Sequence, residues 1–505
     1  MKPRWSILPA LGLGLWLLAG AGARADVTPN PLFADNMVLQ QGVKVPVWGT
    51  AADGEEITVT LQGQTVKTKA QDGKWQVQLD KLKAGGPFEM TVAGKNNITL
   101  KNVLVGEVWI CSGQSNMQWS VNQSADPAEV KAAAKNANIR LFTVPRKPAD
   151  KPQTTVQGQW KECGPDTVGD FSAVAYHFGR HLQNNLNVPI GLISTNVGGT
   201  RAEAWTSRQA LDAMPRYKNM LETHDKALAK YPADLEAHKK AVEKAKQDKQ
   251  PEPKAPANPL NSNSPSALYN AMIAPLVPYA IKGAIWYQGE SNASQAHAYR
   301  TLFPAMIQNW RDDWKQGDFP FLFVQLAPFM AIVNEPQESN WAELREAQLL
   351  TALKFKNTGM AVITDVGDPK DIHPKQKEPV GTRLALAARA LAYDQKLVYS
   401  GPVYDSLKID GDKAVLSFKH VGGGLVCKGD KLTGFTIAGE DKKFVNAEAR
   451  ILDDKIVVTS PMVPKPVAVR FGWANHPIVN LWNKDGLPAT PFRTDSFPGL
   501  TEPKQ

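Results

Sequence analysis

The chain has 505 residues, a formal net charge of +9 and three cysteines. The charge does not indicate a nucleic-acid surface, because much of the lysine lies within 217–254 and no basic stripe alternates with aromatic residues. Three cysteines are too few for a disulfide framework or a thiolate metal cage, although one disulfide is possible. The length is enough for two or three domains with sizeable cores.

Residues 1–25 have the pattern of a cleavable secretory signal. A basic start is followed by the apolar stretch 7–18 and by Ala23-Arg24-Ala25, a small-residue cleavage site. The apolar stretch is shorter than the roughly 20 residues that a bilayer span needs, and no later stretch is apolar enough to be one. An uncleaved anchor is the alternative. We therefore predict a secreted or periplasmic protein with no membrane span, which begins near Asp26.

The segment 26–101 is predicted to be an N-terminal β domain. Thr58–Leu61 and Trp75–Leu79 alternate polar and apolar residues, which is typical of half-buried strands. Glycine-containing turns such as Gln71-Asp-Gly73 separate these strands. The pattern favours a small antiparallel β-sandwich.

The segment 102–397 is predicted to be an α/β domain. Short apolar runs alternate with helical stretches, which favours a parallel sheet covered on both faces. Five such strands suit a flavodoxin-like, doubly wound layer. The predicted strands are Val103–Ile110, Ile190–Thr195, Ala284–Tyr287, Phe319–Gln325 and Met360–Thr364, and the helices include Ala173–Asn184, Arg300–Trp310, Ala342–Leu353 and Pro379–Tyr393.

Two further regions complete the predicted organisation. A lysine-rich insertion at about 207–264 begins as a helix-forming stretch and ends in prolines and asparagines, which predicts a solvated helical hairpin with a loose exit. A lid or a partner surface is the alternative for this insertion. Residues 398–505 return to alternating strands and are predicted to form a C-terminal β-rich region.

Four polar stretches follow predicted strands of the α/β domain, where a site would assemble. Together they offer a serine, paired glycines, an amide side chain, and a histidine with carboxylates nearby. These are the parts that acyl transfer requires: a nucleophile, oxyanion donors, and a base held by an acid. The stretches are Gly113-Gln-Ser-Asn116, Asn196-Val-Gly-Gly-Thr200, Tyr287-Gln-Gly-Glu-Ser-Asn292 and Asp365-Val-Gly-Asp-Pro-Lys-Asp-Ile-His-Pro374.

Among eight histidines, His373 is the preferred base, because it follows a predicted strand and has several aspartates close in sequence. His476 is its rival. His177 and His181 have a metal-ligand spacing, but Phe178 stands where a zinc protease would have glutamate, so a packing pair is the better interpretation. We predict no metal or organic cofactor.

The motifs resemble the sialate O-acetylesterase family, a group of SGNH hydrolases. The resemblance rests on Gly113-Gln-Ser-Asn-Met117, Gly198-Gly-Thr-Arg-Ala-Glu-Ala-Trp205, Trp286-Tyr-Gln-Gly-Glu290 and Asp371-Ile-His-Pro374, which occur in the order of the family's blocks. It spans nearly all of the chain after the signal. It implies a flavodoxin-like SGNH hydrolase core with a parallel sheet, flanked by antiparallel β domains.

The resemblance also implies roles for individual residues. Ser115 would be the nucleophile and His373 the general base, while the Ser115 N–H, Gly198 or Gly199, and Gln288 would form the oxyanion hole. The usual pattern has aspartate three residues before the histidine, but Lys370 stands there. The orienting acid is therefore predicted to be Asp371, with Asp368 as the alternative.

The implied activity is that of a secreted serine esterase that removes O-acetyl groups from sugars through an acetyl-serine intermediate. The partner would be an O-acetylated sugar or glycan, foremost an acetylated sialic acid, whose carboxylate Arg201 could bind. A structural salt bridge from Arg201 to Glu203 is the alternative. An acetylxylan or xyloglucan type of polysaccharide acetylesterase fits the same motifs, and a non-catalytic carbohydrate-binding protein is a second alternative. The oligomeric state is left open.

Overall fold

The computed structural model describes residues 26–503, so the predicted signal at 1–25 lies outside the described residues. Within this range, no helix combines the length and the apolar character that a membrane crossing requires. The three cysteines, Cys111, Cys163 and Cys427, are all unpaired, so the possible disulfide does not form.

The N-terminal region consists of strands in two sheets. In β6, every second side chain is buried, as its alternating sequence predicts. One sheet has the order β1-β3-β6, and the other is built on β8, which pairs antiparallel with β7 and parallel with β2. The strands are β1 (Thr28–Pro29), β2 (Val38–Gln40), β3 (Val45–Thr50), β4 (Glu56–Leu61), β5 (Gln64–Lys69), β6 (Lys74–Leu79), β7 (Gly85–Ala93) and β8 (Asn97–Gly113).

Strand β8 is 17 residues long and belongs to two regions at once. Its first part pairs with β7, and its last part lies at the centre of the α/β sheet. Burial changes accordingly, because the side chains are mixed up to Asn102 and all buried from Val103 to Gly113. The predicted boundary at 101–102 therefore falls inside a continuous strand.

The α/β region contains all five predicted strands, and their parallel arrangement is confirmed. The sequence missed β9, which adds a sixth parallel strand, and β10, which pairs antiparallel with β9. The sheet order is β10-β9-β11-β8-β12-β13-β14. The remaining strands are β9 (Asn136–Thr143), β10 (Trp160–Cys163), β11 (Ile190–Asn196), β12 (Gly283–Tyr287), β13 (Phe321–Val324) and β14 (Thr358–Ala361).

Nine α-helices lie in this region of the described chain, and they cover both faces of the sheet. Alternate residues of β12 belong to different cores, since Trp286 packs with Phe303 on one face while Tyr287 packs in a cluster with Val174 and Leu384 on the other. The helices are α1 (Ser115–Gln118), α2 (Pro127–Ala133), α3 (Pro165–Val168), α4 (Ala173–Leu186), α5 (Arg208–Asp212), α6 (Lys218–Gln247), α7 (Ala296–Trp314), α8 (Asn340–Lys354) and α9 (Glu378–Leu391).

Helices α4 and α9 lie against each other closely enough that a Cβ on Gly381 would be 2.7 Å from Cβ of His177. His177 is buried in this contact, and His181 lies with Nε2 3.2 Å from Nη1 of Arg389. The prediction of a packing pair is thereby confirmed for these two histidines.

The insertion differs from its prediction. The predicted helical hairpin is wrong, because the stretch forms the short helix α5 and then the single 30-residue helix α6. Only Leu221 of α6 is buried. Pro232 lies within α6, and residues 248–264 form neither helix nor strand. With so few apolar side chains to bury, the second half of a hairpin has nothing to hold it against the first.

The C-terminal region is β-rich, as predicted, and its strands pair antiparallel in three small sheets. The orders are β15-β16-β21-β20, β17-β23 and β19-β18-β22-β24. These strands are β15 (Val403–Asp410), β16 (Lys413–Lys419), β17 (Leu425–Cys427), β18 (Phe435–Ala438), β19 (Val445–Asn446), β20 (Glu448–Leu452), β21 (Lys455–Thr459), β22 (Ala468–Phe471), β23 (Leu481–Asn483) and β24 (Phe492–Arg493). The described chain is therefore a mixed α/β protein with several antiparallel sheets.

Candidate active site

Three of the four polar stretches begin at the same level of the sheet. Gly113, the last residue of β8, is paired with Asn196 of β11 on one side and with Tyr287 of β12 on the other. Its φ is +143°, and a Cβ would lie 2.1 Å from the carbonyl oxygen of Tyr287, so only glycine fits there. β8 lies where the chain order of the sheet reverses, the position at which open α/β sheets bind their ligands.

Ser115 is the first residue of α1 and is partly exposed. Its N–H has no hydrogen-bond acceptor within residues 26–503, as expected of a donor in the first turn of a helix. A Cβ on Gly198 would lie 3.3 Å from Cβ of Ser115, so the glycine pair lies directly beside the hydroxyl-bearing residue. The structure thus brings together the first two predicted blocks.

The two glycines are not equivalent. The N–H of Gly198 donates to Oε1 of Gln118 at 2.7 Å. Gly199 has a φ of +70° with open space beside it, and its N–H has no acceptor in the part of the chain that the structure describes. Asn263 fixes this turn by donating to the carbonyl of Gly199 at 2.9 Å and accepting from the N–H of Arg201 at 2.9 Å. Of the two glycines, Gly199 is therefore the one whose N–H is left unused by the described residues.

Gln288, the predicted side-chain donor, has its amide engaged within the protein. Its side chain is fully buried, and Nε2 donates both to the carbonyl of Thr200 at 3.1 Å and to Oδ1 of Asn292 at 2.7 Å. Its Oε1 accepts from the hydroxyl of Tyr299 at 2.9 Å. An amide has two N–H donors, and both are used within the protein. In this structure both N–H groups of Gln288 are bonded to Thr200 and Asn292, so its oxyanion role stays a prediction.

His373 lies in the loop between β14 and α9, and it comes close to α1 through two contacts. Its imidazole stacks on the indole of Trp119, which directly follows α1. Nδ2 of Asn116 donates to the carbonyl of Ile372, the residue before the histidine, at 3.0 Å. Although β14 is three places from β8 in the sheet, its loop returns to the end of β8.

Of the two candidate acids, Asp371 is the one that faces the histidine. Its Oδ1 is 3.5 Å from Nδ1 of His373 and accepts the backbone N–H of the same residue at 2.8 Å. Asp368 instead accepts the backbone N–H groups of Lys370, at 2.7 Å, and Asp371, at 3.2 Å. Burial and the charge of Lys377 lower the pKa of His373, and Asp371 opposes this shift. His373 is thus suited to be a neutral base.

Beneath the Ser115 turn lies a buried polar cluster formed by Asn116, Glu290 and Lys377. Nδ2 of Asn116 donates to Oε1 of Glu290 at 2.6 Å, and its Oδ1 accepts from Nζ of Lys377 at 2.5 Å. Lys377 is 1% exposed, and burial lowers its pKa, whereas burial raises the pKa of Glu290. The sequence singled out neither ionisable residue for a role, since nothing in its pattern distinguishes a buried lysine from a solvated one.

Two further candidates, Arg201 and His476, lie at the margins of this arrangement. Arg201 is exposed at the edge of the site, and no salt bridge joins it to another described residue. Glu203 is buried and accepts from Asn292 at 2.9 Å, so the alternative pair with Arg201 does not form. His476, the rival base, is buried in the C-terminal region, where burial and the charge of Arg345 lower its pKa, while the charge of Asp368 in the His373 loop opposes this shift.

Metal ligation has no visible basis in this part of the protein. Across residues 26–503, no three His, Cys, Asp or Glu side chains converge in a way that could hold a metal ion. The groups that do converge are a hydroxyl, an imidazole with a carboxylate, and backbone N–H donors. This set suits attack on a carbonyl carbon.

Comparisons with known proteins identify similar chains. A family profile described as "Carbohydrate esterase, sialic acid-specific acetylesterase" matches residues 105–238 and 259–390. Sialate O-acetylesterases from Mus musculus and Homo sapiens are each 31% identical, over 96% and 98% of this chain and 97% and 98% of their own lengths. A solved carbohydrate acetylesterase from Xanthomonas citri is 40% identical, with a TM-score of 0.82, over 93% of this chain and 100% of that one. The profile leaves out 239–258, which is the end of α6 and the loop after it.

Proposed function

The chain belongs to the sialic acid-specific acetylesterase family of carbohydrate esterases, and from this premise we propose that Ser115, His373 and Asp371 carry out its reaction. The protein is a carbohydrate O-acetylesterase, and therefore a carboxylic ester hydrolase. One observation supports the residue assignment above the others. Asn116, which follows Ser115, donates a hydrogen bond to the carbonyl of Ile372, which precedes His373. The nucleophile and the base are each one residue from a contact that joins their loops.

The reaction proceeds in two halves. Oγ of Ser115 attacks the acetyl carbonyl carbon while His373 takes the hydroxyl proton, and Asp371 stabilises the resulting imidazolium. Collapse of the tetrahedral intermediate breaks the bond to the sugar oxygen, which receives the proton from His373. Water then attacks the acetyl-serine with His373 again as the base, and acetate leaves. Each half uses one proton transfer through the same imidazole.

The oxyanion is stabilised by backbone donors. The N–H of Ser115, at the start of α1, and the N–H of Gly199 are two donors near the hydroxyl that no described residue accepts from. Two such donors in a site of low dielectric supply a large part of the stabilisation that acyl transfer needs. Gln288 supports these donors indirectly, because it donates a hydrogen bond to the carbonyl of Thr200, the residue next to Gly199.

The arrangement of the sheet supports an SGNH hydrolase type of core. β9 follows β8 in the chain and is added outside β11, and the other five parallel strands lie in the sheet in the order β11-β8-β12-β13-β14, which is 2-1-3-4-5 when they are numbered along the chain. This is the order of a flavodoxin-like doubly wound sheet. Ser115 follows the first strand of that series, at the reversal point.

We assign acetylated sialic acid as the foremost substrate. The names of the mammalian relatives point to it, and Arg201 presents an exposed guanidinium two residues after Gly199. A guanidinium binds a carboxylate through two parallel hydrogen bonds. Acetylated plant polysaccharides are the second candidate. The broader name of the relative from Xanthomonas citri favours them, whereas xylo-oligosaccharides offer no carboxylate for Arg201 to bind. The pattern at 1–25 supports export to the periplasm or the medium.

Acetate release from two substrates tests both assignments. Purified protein is incubated with O-acetylated sialic acid and with acetylated xylo-oligosaccharides, and with a chromogenic acetyl ester as a common reference. We expect Ser115→Ala to abolish turnover of all three while its circular dichroism spectrum stays that of the wild type. Arg201→Met is expected to weaken only the sialic acid reaction. Retained turnover by Ser115→Ala excludes the nucleophile, and equal losses on all substrates exclude the role of Arg201.

A further inference from the structure

Lys377 is an unusual residue for its position. It lies immediately before α9, only 1% exposed, and a lysine is almost never fully buried unless it is paired. Its ammonium donates to Oδ1 of Asn116 at 2.5 Å and lies 5.5 Å from the ring centre of Tyr287 and 6.0 Å from that of Trp119. These rings and Asn116 surround the ammonium in place of water, but they offset the cost of burial only in part, since burial lowers the pKa of Lys377 to about 7.

Asn116 connects this lysine to three parts of the proposed site. Its Oδ1 accepts from Lys377, and its Nδ2 donates to Oε1 of Glu290 at 2.6 Å and to the carbonyl of Ile372 at 3.0 Å. Both amide hydrogens and the amide oxygen are therefore used. A side chain with all its hydrogen bonds made has one orientation, and it follows Ser115 directly. The hydrogen bonds of Asn116 thus fix the turn that carries Ser115.

The positive charge of Lys377 contributes to the orientation of Asn116 in addition to the hydrogen bond itself. Glu290 is half-buried, and its Oε2 is shielded from solvent without a hydrogen-bond partner among the described residues. The Asn116 amide lies between two opposite charges. Its NH₂ group faces the carboxylate of Glu290, and its oxygen faces the ammonium of Lys377. Hydrogen bonds to ionised groups are about twice as strong as neutral ones.

We propose that Lys377 is a positioning residue of the esterase, which acts through Asn116 to hold the Ser115 turn and the His373 loop in fixed relation to each other. The inference rests on the proposed function, because it presupposes that Ser115 and His373 react together. It does not require contact between Lys377 and substrate. Removal of the ammonium leaves Asn116 free to rotate and loosens the contact with Ile372, and a displacement of 1 Å between reacting groups can cost about 10²-fold in rate.

The charge of Lys377 also acts on His373. The charged groups that influence the imidazole are Lys377, which lowers its pKa, and Asp371, which raises it, and Trp119 covers one ring face. If the positive charge is removed, the pKa of His373 rises. Since the working base is the neutral imidazole, the acid limb of the activity profile then moves to higher pH. A lysine whose role is only structural would leave this limb unchanged.

The test uses the double variant Lys377→Met/Glu290→Gln, compared with Lys375→Met. The double substitution removes together the two charges that flank the Asn116 amide, so neither is left without its counterpart, which is the strongly destabilising case. Lys375 is exposed two residues away and serves as the matched control. We measure kcat, KM and the pH profile of kcat/KM on a chromogenic acetyl ester, with thermal unfolding in parallel.

We expect kcat of the double variant to fall about 10²-fold, with KM little changed and the acid limb displaced to higher pH. Lys375→Met should behave as the wild type. A folded double variant with the kcat and pH profile of the wild type overturns the inference. If Lys377→Met alone is too unstable to purify, the double variant still decides the question. A wild-type enzyme that hydrolyses no acetyl ester would instead refute the proposed function.

Discussion

Trp119 stacks on His373 with ring centres 4.5 Å apart and planes within 13° of parallel. Trp119 itself is fixed, because its Nε1 donates to the carbonyl of Gln123 at 2.8 Å. The indole therefore sets the plane of the imidazole and shields one of its faces from water, while Nδ1 at the ring edge faces Asp371. An unsupported histidine in a loop would sample several rotamers, most of which point away from the nucleophile.

Replacement of this indole should slow the chemical step. For Trp119→Leu we expect kcat to fall by roughly tenfold to 10²-fold, since the imidazole loses its fixed orientation, while Trp119→Phe retains a stacking face and loses less. The measurement is kcat and KM on a chromogenic acetyl ester. Equal activity of the leucine and phenylalanine variants would show that stacking plays no part.

The backbone at Gly199 can be tested against a matched glycine elsewhere. Gly199 and Gly317 both have a φ of +70° and open space where a Cβ would stand. Alanine at either position should therefore cost a similar amount of stability, about 1 kcal/mol, from the left-handed conformation alone. Only Gly199→Ala should also reduce kcat, because alanine favours a negative φ, and a partial shift of the backbone turns the N–H away from the proposed position of the substrate oxygen. The comparison of kcat at matched stability isolates the oxyanion role, and equal kcat for the two variants would contradict it.

Gln288 should behave as a structural amide. Gln288→Leu leaves the carbonyl of Thr200 and the hydroxyl of Tyr299 without partners in a buried place, so we expect destabilisation of roughly 1–3 kcal/mol for each group. The kcat of the folded fraction should fall well short of the 10²–10³-fold loss that follows removal of an oxyanion donor. Thermal unfolding and active-site titration with an organophosphonate give the two quantities separately. A loss of kcat in that larger range with unchanged stability would restore Gln288 as a donor.

The central strands and the loops that follow them could be predicted, because local sequence patterns determine them. Runs of four to eight apolar residues ended in glycine and polar residues, and such runs form the central strands of a parallel sheet. Strand β9 was missed because Arg140 interrupts its apolar run. In the fold Arg140 is buried, and it donates to the carbonyl of Ala137 at 2.7 Å and to Oδ1 of Asn102 at 3.2 Å. Asn102, which is 38 positions away, is a partner that the local pattern could not reveal, and it allows the arginine to be buried in a strand.

The orientation of side chains was the part that local patterns could not supply. The sequence placed Gln288 at the end of a strand, but its amide turned toward Tyr299 and Asn292, because these partners were available in the core. The burial of Lys377 could not be predicted for the same reason, since it depends on a hydrogen bond to Asn116, which is 261 positions away. The choice between Asp371 and Asp368 likewise needed distances, because both aspartates are close to His373 in sequence.

The pH dependence of activity separates these two aspartates. Burial and then Lys377 lower the pKa of His373, so activity, which needs the neutral imidazole, should be lost only as the pH falls below the ordinary value of about 6.5. Asp371 is the one group that opposes this shift. Asp371→Asn should therefore move the acid limb of kcat/KM to still lower pH, and the lost support for the imidazolium should reduce the plateau by roughly 10²-fold.

Asp368→Asn is the control, because an asparagine oxygen can still accept the backbone N–H groups of Lys370 and Asp371. We expect its profile and plateau to match the wild type. The measurement is kcat/KM on a chromogenic acetyl ester from pH 4 to pH 9, corrected for the hydrolysis of the ester in buffer. If Asp368→Asn lowers the plateau and Asp371→Asn does not, the acid of the triad is Asp368, and the loop must rearrange when substrate binds.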